Sequence, residues 1–208
     1  MKISTIILSS FFLISSIFAE KKLFDGKSLN GWDGDPKFWS VQDGAILGQT
    51  TKENPTKGNT FLIWKNGELG DFELTLDYKI EAGNSGIQYR SFVKPGKHDG
   101  WRIGGYQADL EAGDKFSGIC YGEGFRGILS MRGMKTTLTL DSKGKLKKDV
   151  KEFGDSAEIG KTVKKGKWNK YRITAKGFHF NHFLSLIHIS EPTRRTPISY
   201  AVFCLKKR

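Results

Sequence analysis

The feature that most constrains the fold is a strict alternation of apolar and polar side chains in the first half of the chain. From Phe72 to Ile80 every second residue is apolar, and polar residues fill the positions between. Successive side chains of an extended strand point to opposite sides of a sheet, so this period of two predicts a strand with one buried face. The turn sequence GNSG follows, and IQYRSFV then alternates again. We therefore predict an antiparallel hairpin over these two segments.

Short segments of the same kind recur along the chain, separated by Gly, Asp or Asn. They are FWSVQDGAILGQ with a turn at Asp43-Gly44, TFLIW, GYQADLEA, GILSMRG, TTLTL and KWNKYRITAK. The 25 glycines and an aromatic content of 12% suit many turns around an aromatic core. Roughly seven or more short strands without a long amphipathic helix predict two packed sheets. The expected class is all-β, a jelly-roll β-sandwich.

The N-terminal residues 1–19 differ from this body. Lys2 precedes an apolar run that is broken by serines and ends at Ala19, which is the layout of a secretory signal peptide. The run is shorter than the about 20 apolar residues that a membrane-spanning helix needs. We expect cleavage, export to the periplasm or the outside of the cell, and no stable membrane insertion afterwards. An uncleaved N-terminal anchor is the alternative.

The C-terminal residues 184–208 also break the pattern, because the glycine turns and the alternation stop at Leu184. The segments LSLIHISEPTR, RTP and ISYAVFCL, followed by two lysines, resemble the translation of a transposase-type adapter used in short-read DNA sequencing. We expect this stretch to be an artefact that interrupts the natural gene after about Phe183. A native C-terminal strand over Ile198 to Leu205 is the alternative.

The formal charge of +12 invites a nucleic-acid interpretation. Part of the surplus lies in the two unusual ends, and the rest is spread along the body. It is densest over 143–151 and 161–167, where lysine-rich sequence is typical of solvated β-turns. We therefore expect no nucleic-acid partner. Two cysteines, Cys120 and Cys204, do not indicate a disulfide framework.

Polar side chains repeat on one face of two predicted strands. They are Gln88 and Arg90 in IQYRSFV, and Gln107, Asp109 and Glu111 in GYQADLEA. If the two strands share a sheet, one patch of planar donors and acceptors is formed by Gln88, Arg90, Gln107 and Asp109, which suits sugar hydroxyls. The alternative is a polar face that an antiparallel sheet merely keeps in water.

The glycine-rich segment SGICYGEGFRGIL contains Tyr121, Glu123 and Arg126. Glycine permits backbone shapes that other residues resist, so we expect a loop beside the sheet that contributes to a site. A solvated turn is the alternative.

The histidines of the body do not form a metal motif. His98 lies in the polar loop KPGKHDG, and the alternation in FHFNHF places His179 and His182 on opposite faces. His182 is the stronger site candidate, although a lone histidine is more often structural. The sequence lacks HExxH, a cysteine cluster and a phosphate loop.

A series of segments, taken in order, resembles the 3-keto-disaccharide hydrolase family. They are FDGKSLNGW, WSVQDGAILGQ, KGNTFLIWKNGELGDFEL, GNSGIQYRS, GGYQADLEAG, YGEGFRG, GDSAE and WNKYRITAKGFHFNHF, and they cover most of 23–183. The resemblance implies a concanavalin-like jelly roll, bacterial export, and cleavage of glycosides whose C3 hydroxyl has been oxidised to a ketone. Family members continue beyond the equivalent of Phe183, so it also implies that the domain 20–183 is C-terminally truncated, lacks a closing strand, and is poorly stable or inactive as written.

Cleavage of a 3-keto-glycoside requires a base, a cation and an acid. The C3 carbonyl acidifies the C2 hydrogen, a base removes it, the enediolate expels the C1 substituent, and water then adds. The expected acid or base is Asp109 or Glu123, and His182 is a second candidate for proton transfer. Arg90 and Arg126 are the expected anion stabilisers. The residues expected to bind substrate hydroxyls are Asn84, Gln88, Gln107 and Tyr121.

Two points stay open at this stage. A divalent metal held by Asp109, Glu123 or His182 is an alternative to an arginine as the enediolate stabiliser, although no ligand spacing demands one. A carbohydrate is the expected partner in either case, but a jelly roll can equally be a non-catalytic carbohydrate-binding module.

Overall fold

The computed structural model describes residues 20–95, 100–185, 187–194 and 202–207. The predicted signal peptide and His98 lie outside these ranges. Within them the structure consists mainly of strands, here numbered in chain order. The strands of the first half are β1 Trp32–Asp33, β2 Trp39–Gln42, β3 Ala45–Gly48, β4 Thr60–Trp64, β5 Phe72–Tyr78, β6 Asn84–Val93 and β7 Ile103–Glu111. The second half contains β8 Cys120–Glu123, β9 Gly127–Ser130, β10 Met134–Leu140, β11 Leu146–Glu152, helix α1 Ser156–Lys161, β12 Asn169–Lys176, β13 His179–Leu184, β14 Ile187–Arg194 and β15 Val202–Lys207.

Two large sheets pack face to face, which confirms the predicted all-β sandwich. One sheet has the order β1-β4-β15-β6-β7-β8-β9, and the other has the order β11-β10-β14-β13-β12-β5. Aromatic and aliphatic side chains of both sheets fill the space between them, among them Tyr89 and Tyr106 from the first sheet and Tyr171, Ile173 and Phe180 from the second. No helix in the described part of the chain is long and apolar enough to cross a membrane.

The hairpin predicted over β5 and β6 is wrong. Strand β5 pairs with β12, with Leu74 opposite Ile173, whereas β6 pairs with β7 in the other sheet. The turn around Gly83, which has a φ of 73°, carries the chain from one sheet to the other. Local alternation identified both strands correctly, but it contains no information about which strand each one pairs with.

The hairpin predicted at Asp43-Gly44 is confirmed. Strands β2 and β3 pair with Gln42 opposite Ala45. The two turn residues have φ values of 50° and 75°, the left-handed pair that a tight two-residue turn requires. Asp and Gly adopt that conformation more readily than most residues, which is why the sequence signal was reliable here.

Two segments predicted as turns or loops contain strands instead. The lysine-rich stretch 143–151 contributes most of β11, an exposed strand at the edge of its sheet. Lysines on an edge strand discourage pairing with another chain, so the charge suits a strand as well as a turn. The glycine-rich segment predicted as a loop contains β8, and a short turn at 124–126 leads to β9, which lies within the strand predicted for GILSMRG.

The C-terminal segment adds two strands inside the sheets. Strand β14 lies between β13 and β10 and runs parallel to β10, with Pro192 opposite Thr136. Strand β15 lies between β4 and β6. Proline has no backbone N–H, so it is an unfavourable residue in a strand with neighbours on both sides. The interpretation of 184–208 as a translated adapter stays a prediction.

Candidate functional site

A cavity of about 520 Å³ lies on the sheet that contains β6, β7 and β8, on the face that points away from the core. Its walls combine carboxylates, amides, one arginine and a few apolar side chains. The lining residues are Gly58, Asn59, Asn84, Arg102, Gln107, Asp109, Glu111, Phe116, Ile119, Tyr121, Glu123 and Ile128. The structure thus brings together five of the predicted site residues, namely Asn84, Gln107, Asp109, Tyr121 and Glu123. A second cavity of about 420 Å³, lined by residues of the loop 50–58, shares Gly58 with this one.

A chain of polar contacts crosses the floor of the cavity. The side-chain amide of Gln88 donates to Gln107 Oε1 at 2.5 Å, and the Gln107 amide in turn donates to Asp109 Oδ1. We predicted that Gln107 and Asp109 are exposed, but they are 0% and 6% exposed because the cavity walls cover this face of the sheet. Gly86 pairs with Asp109, and a side chain at that position would collide with Gln107. The floor is therefore buried, polar and fixed in orientation.

Glu123 forms the other acidic part of the floor. Its Oε1 accepts hydrogen bonds from the Asn59 side-chain amide at 3.1 Å and from the Arg102 guanidinium at 3.3 Å. Arg102 also donates to the main-chain oxygen of Asn59 at 3.3 Å. Glu123 is 5% exposed, so a guanidinium offsets much of the cost of burying its charge. The three side chains form one network at this end of the cavity.

The two carboxylates are separated by enough floor to hold a sugar ring. Glu123 lies opposite Gly105, and Tyr121 lies opposite Gln107. Asp109 is four positions beyond Gly105 on the same strand, a backbone distance of about 13 Å at a rise of about 3.3 Å per residue. Gln107 is midway between these two positions, so a sugar over Gln107 and Tyr121 would lie between the two carboxylates.

Two residues of the cavity, Asn59 and Arg102, were not predicted from the sequence. Asn59 directly precedes β4, and Arg102 directly precedes β7. Both therefore lie just outside the alternating segments from which the site residues were predicted. The available signal was a polar side chain next to the start of a buried strand. That signal becomes specific only when the pairing of the strands is known.

The structure does not bring Arg90 to the cavity. A bulge interrupts the pairing of β6 with β7 between Tyr89 and Phe92, and Arg90 has a φ of 47°. The alternation is lost there, and the guanidinium instead pairs with Asp71 at 3.1 Å. The predicted placement of Arg90 beside Gln88 is therefore corrected.

Arg126 is also absent from the cavity wall. It lies in the turn between β8 and β9, where its guanidinium packs over the Phe125 ring at 5.3 Å. Gly124 and Gly127, with φ values of 72° and 68°, form this turn. Arg126 is not among the residues that line the cavity, so its predicted role there is corrected.

His182 lies in the core between the two sheets and does not line the cavity. It is fully buried on β13, and its Nε2 lies 2.8 Å from the Tyr89 hydroxyl oxygen, which is also 3.7 Å from Cys120 Sγ. Burial lowers the pKa of His182 to about 3 and raises the pKa of Cys120 to about 12. The alternation placed His179 and His182 on opposite faces, and the structure shows that the face of His182 is the core.

In the part of the chain that the structure describes, no group of three His, Cys, Asp or Glu side chains is arranged to hold a metal ion. Asp109 and Glu123 share the cavity, but His182 is on the other side of the sheet. The three residues considered as metal ligands therefore do not fit one common site.

Comparison with known proteins gives one family match and several structural likenesses. Residues 19–197 match the model of the 3-keto-alpha-glucoside-1,2-lyase-like domain. A 3-keto-disaccharide hydrolase of Bacteroides thetaiotaomicron is 35% identical over 79 residues, which is 32% of this chain and 26% of that protein. The alignment thus spans about a quarter of the length of this curated relative.

Solved structures support the fold. A candidate glycosyl hydrolase of Parabacteroides distasonis superimposes with a TM-score of 0.53 at 20% identity, covering 90% of each chain. The carbohydrate-binding module CBM66 of Bacillus subtilis gives a TM-score of 0.50 at 15% identity, covering 85% of this chain and 87% of the module. At such identities these likenesses concern the fold alone. The family match covers most of the sequence, and the chain belongs to the family of 3-keto-alpha-glucoside-1,2-lyase-like domains.

Proposed function

We propose that the protein cleaves 3-keto-glycosides by elimination across C1 and C2, followed by hydration. The observation that carries this proposal is the presence of two buried carboxylates, Asp109 and Glu123, in one cavity with a guanidinium, Arg102. Proton removal next to a ketone needs a base and a nearby cation, and expulsion of an alkoxide needs an acid. This cavity contains all three kinds of group.

The reaction balances without an external oxidant or reductant. A carboxylate takes the C2 proton, and the electron pair moves to give an enediolate with its charge on the C3 oxygen. Collapse of the enediolate restores the C3 ketone, forms a C1–C2 double bond and breaks the bond from C1 to the leaving oxygen, which takes up a proton. Water then adds hydroxyl at C1 and a proton at C2, which gives the free 3-keto sugar.

The side chains of the cavity divide these tasks between them. Asp109 and Glu123 are assigned to proton transfer, and Arg102 replaces Arg90 and Arg126 as the group that stabilises the enediolate. Amides distinguish hydroxyls by direction, because each offers both donors and an acceptor. The amides assigned to orient the substrate hydroxyls are those of Asn59, Asn84 and Gln107, with Gln88 holding Gln107 in place.

The test of this proposal compares a 3-keto-glucoside with its unoxidised parent as substrates of the purified protein, with and without a chelator. We expect release of the leaving group from the keto form alone, and loss of about 100-fold or more in kcat for Asp109→Asn and for Glu123→Gln. Asp71→Asn is the matched control, since Asp71 is an exposed carboxylate outside the cavity. Sugar binding without turnover would instead indicate a carbohydrate-binding module. Turnover that the chelator abolishes would assign the anion-stabilising task to a metal.

We also propose that the protein is exported, on the basis of residues 1–19. A carbohydrate-cleaving protein outside the cytoplasm meets glycosides before their uptake. N-terminal sequencing of the protein recovered from the periplasm or the medium tests this, and an intact N-terminus on protein in the cytoplasm would contradict it.

A further inference from the structure

The loop 112–118 forms one wall of the cavity and is fastened to the strands on either side of it. It connects β7 to β8 and carries Phe116, while Ile119 follows directly, and both line the cavity. The Gly118 N–H donates to the main-chain oxygen of Asp109 at 2.9 Å, and the Asp109 N–H donates to that of Ile119 at 3.1 Å. A shift of the loop therefore moves the backbone of a residue assigned to proton transfer.

Glu111 holds the loop from the side of the cavity. Its carboxylate accepts the backbone N–H groups of Lys115 at 3.1 Å and Phe116 at 2.9 Å. Ser117 closes the loop at its base, because its hydroxyl donates to the Glu111 main-chain oxygen at 2.8 Å and accepts the Glu111 N–H at 2.9 Å. These contacts hold the middle and the end of the loop against Glu111.

Arg132 holds the same loop from the opposite side. Its guanidinium donates to the main-chain oxygen of Asp114 at 2.7 Å and to that of Ser117 at 3.0 Å. Arg132 is 5% exposed, and Gly160 of α1 packs so close that a side chain there would approach the guanidinium to 2.8 Å. A buried charge that donates to two carbonyls of one loop favours one position of that loop, since a displacement breaks two charged hydrogen bonds.

We infer that Arg132 is a positioning residue for the cavity, acting through the loop 112–118 on Phe116 and Asp109. It does not line the cavity, so its effect on substrate is indirect. Lysine retains the charge at this position but cannot donate to two carbonyls in the fixed planar geometry of a guanidinium. The inference rests on the proposed function for its catalytic readout, but not for its structural one.

The structural readout is amide hydrogen exchange of the full chain without substrate. In Arg132→Met we expect faster exchange confined to 113–118, with Arg132→Lys intermediate and with no change in the matched control Arg172→Met, whose guanidinium lies on the other sheet. Gly160→Ala provides a second route, because it displaces the guanidinium without removing it. Unchanged exchange in 113–118 for both Arg132→Met and Gly160→Ala would overturn the inference.

The functional readout is a double-mutant cycle on the 3-keto-glucoside. We expect Arg132→Met to raise KM about tenfold, because the wall that carries Phe116 loses a charged hydrogen-bond anchor, and to lower kcat by a smaller factor, because the backbone of Asp109 moves with the loop. Phe116→Ala should then add little in the Arg132→Met background, since both changes disable the same wall. Fully multiplicative effects on KM would contradict positioning through the loop. If the wild-type protein shows no turnover, the proposed function fails. The cycle is then measured as the Kd for the 3-keto-glucoside, and the exchange result decides the anchoring role of Arg132 independently.

Discussion

Arg102, which directly precedes β7, forms an ion pair with Glu123 on β8, with 3.3 Å between the guanidinium and Oε1. The Arg102 side chain is 24% exposed and that of Glu123 is 6% exposed, so the cation reaches the cavity from its rim and the anion lies on its floor. Arg102 is the cation that is assigned to stabilise the enediolate in the proposed elimination. Arg102 differs from the other two arginines considered because it lines the cavity, whereas Arg90 pairs with Asp71 and Arg126 is not among the lining residues.

Replacing Arg102 by Met is expected to lower kcat on a 3-keto-glucoside by about 100-fold or more, because the enediolate loses its counter-charge. Arg90→Met is the matched control and should leave kcat within about twofold, since its ion pair with the exposed Asp71 contributes about 1 kcal/mol or less to stability. Steady-state kinetics of the two variants checks this. Equal losses in both variants would remove the special role of Arg102.

His182 makes folding stability depend on pH. Its pKa is about 3 in the folded protein, and burial is the main cause of that low value. In the unfolded chain the pKa of His182 is near 6.5, so below that pH the unfolded chain binds a proton that the folded protein excludes. The contribution of His182 to the free energy of unfolding is therefore fully present above pH 6.5 and is lost as the pH drops towards 3. We expect a loss of about 2 kcal/mol between pH 6.5 and 5, where most carboxylates are still ionised.

Denaturant unfolding of His182→Gln across that pH range measures this contribution. The variant should show a much flatter pH dependence, because glutamine does not titrate. His179→Gln is the matched control, since His179 is exposed on the same strand and should retain the wild-type slope. Identical slopes for wild type and His182→Gln would contradict burial of the neutral imidazole.

A comparison of Gly133 with Gly144 distinguishes the cost of an unfavourable backbone conformation from the cost of a steric clash. Both have a φ of 73°, but an added side chain would meet the Gly154 main-chain oxygen at Gly133 and nothing within 4 Å at Gly144. We expect Gly144→Ala to cost about 1 kcal/mol and Gly133→Ala about 3 kcal/mol or more, by chemical denaturation. Equal losses in the free energy of unfolding for the two variants would mean that the backbone near Gly154 moves to accommodate the added side chain at little cost.

The interpretation of 184–208 as a translated adapter predicts a defined result at the level of DNA. Sequencing the source DNA across codon 183 should give a different continuation, and a chain with that continuation should unfold at a temperature several degrees higher. Pro192 supports the direction of the change, because it cannot donate within its strand. Source DNA that encodes 184–208 as printed would contradict the interpretation.

The positions of many strands could be predicted from the sequence, but the pairing of those strands could not. Alternation located β5 and β6, and the Asp-Gly pair located the turn between β2 and β3, since these signals are local. The pairing of β5 with β12 depends on contacts about a hundred residues apart, so the predicted hairpin of β5 with β6 was wrong.

The candidate site shows the same division. Five residues of the cavity were predicted from their side-chain chemistry and from the sheet face or loop on which they were expected to lie. They are Asn84, Gln107, Asp109, Tyr121 and Glu123. Arg90 was misplaced by a bulge that alternation cannot reveal. Arg102 was overlooked because its importance comes from the neighbouring strand, where Glu123 lies opposite the start of β7.

The most direct test of the account follows the hydrogen at C2. A 3-keto-glucoside deuterated at C2 is incubated with the protein in ordinary water, and the rate and the isotope content of the product are compared with those of the undeuterated substrate and of a reaction without protein. Elimination predicts slower release from the deuterated substrate and a product that has lost its deuterium, both dependent on Asp109 and Glu123. Equal rates with the deuterium retained at C2 would show that the C1 bond breaks by direct hydrolysis, and would contradict the proposed mechanism.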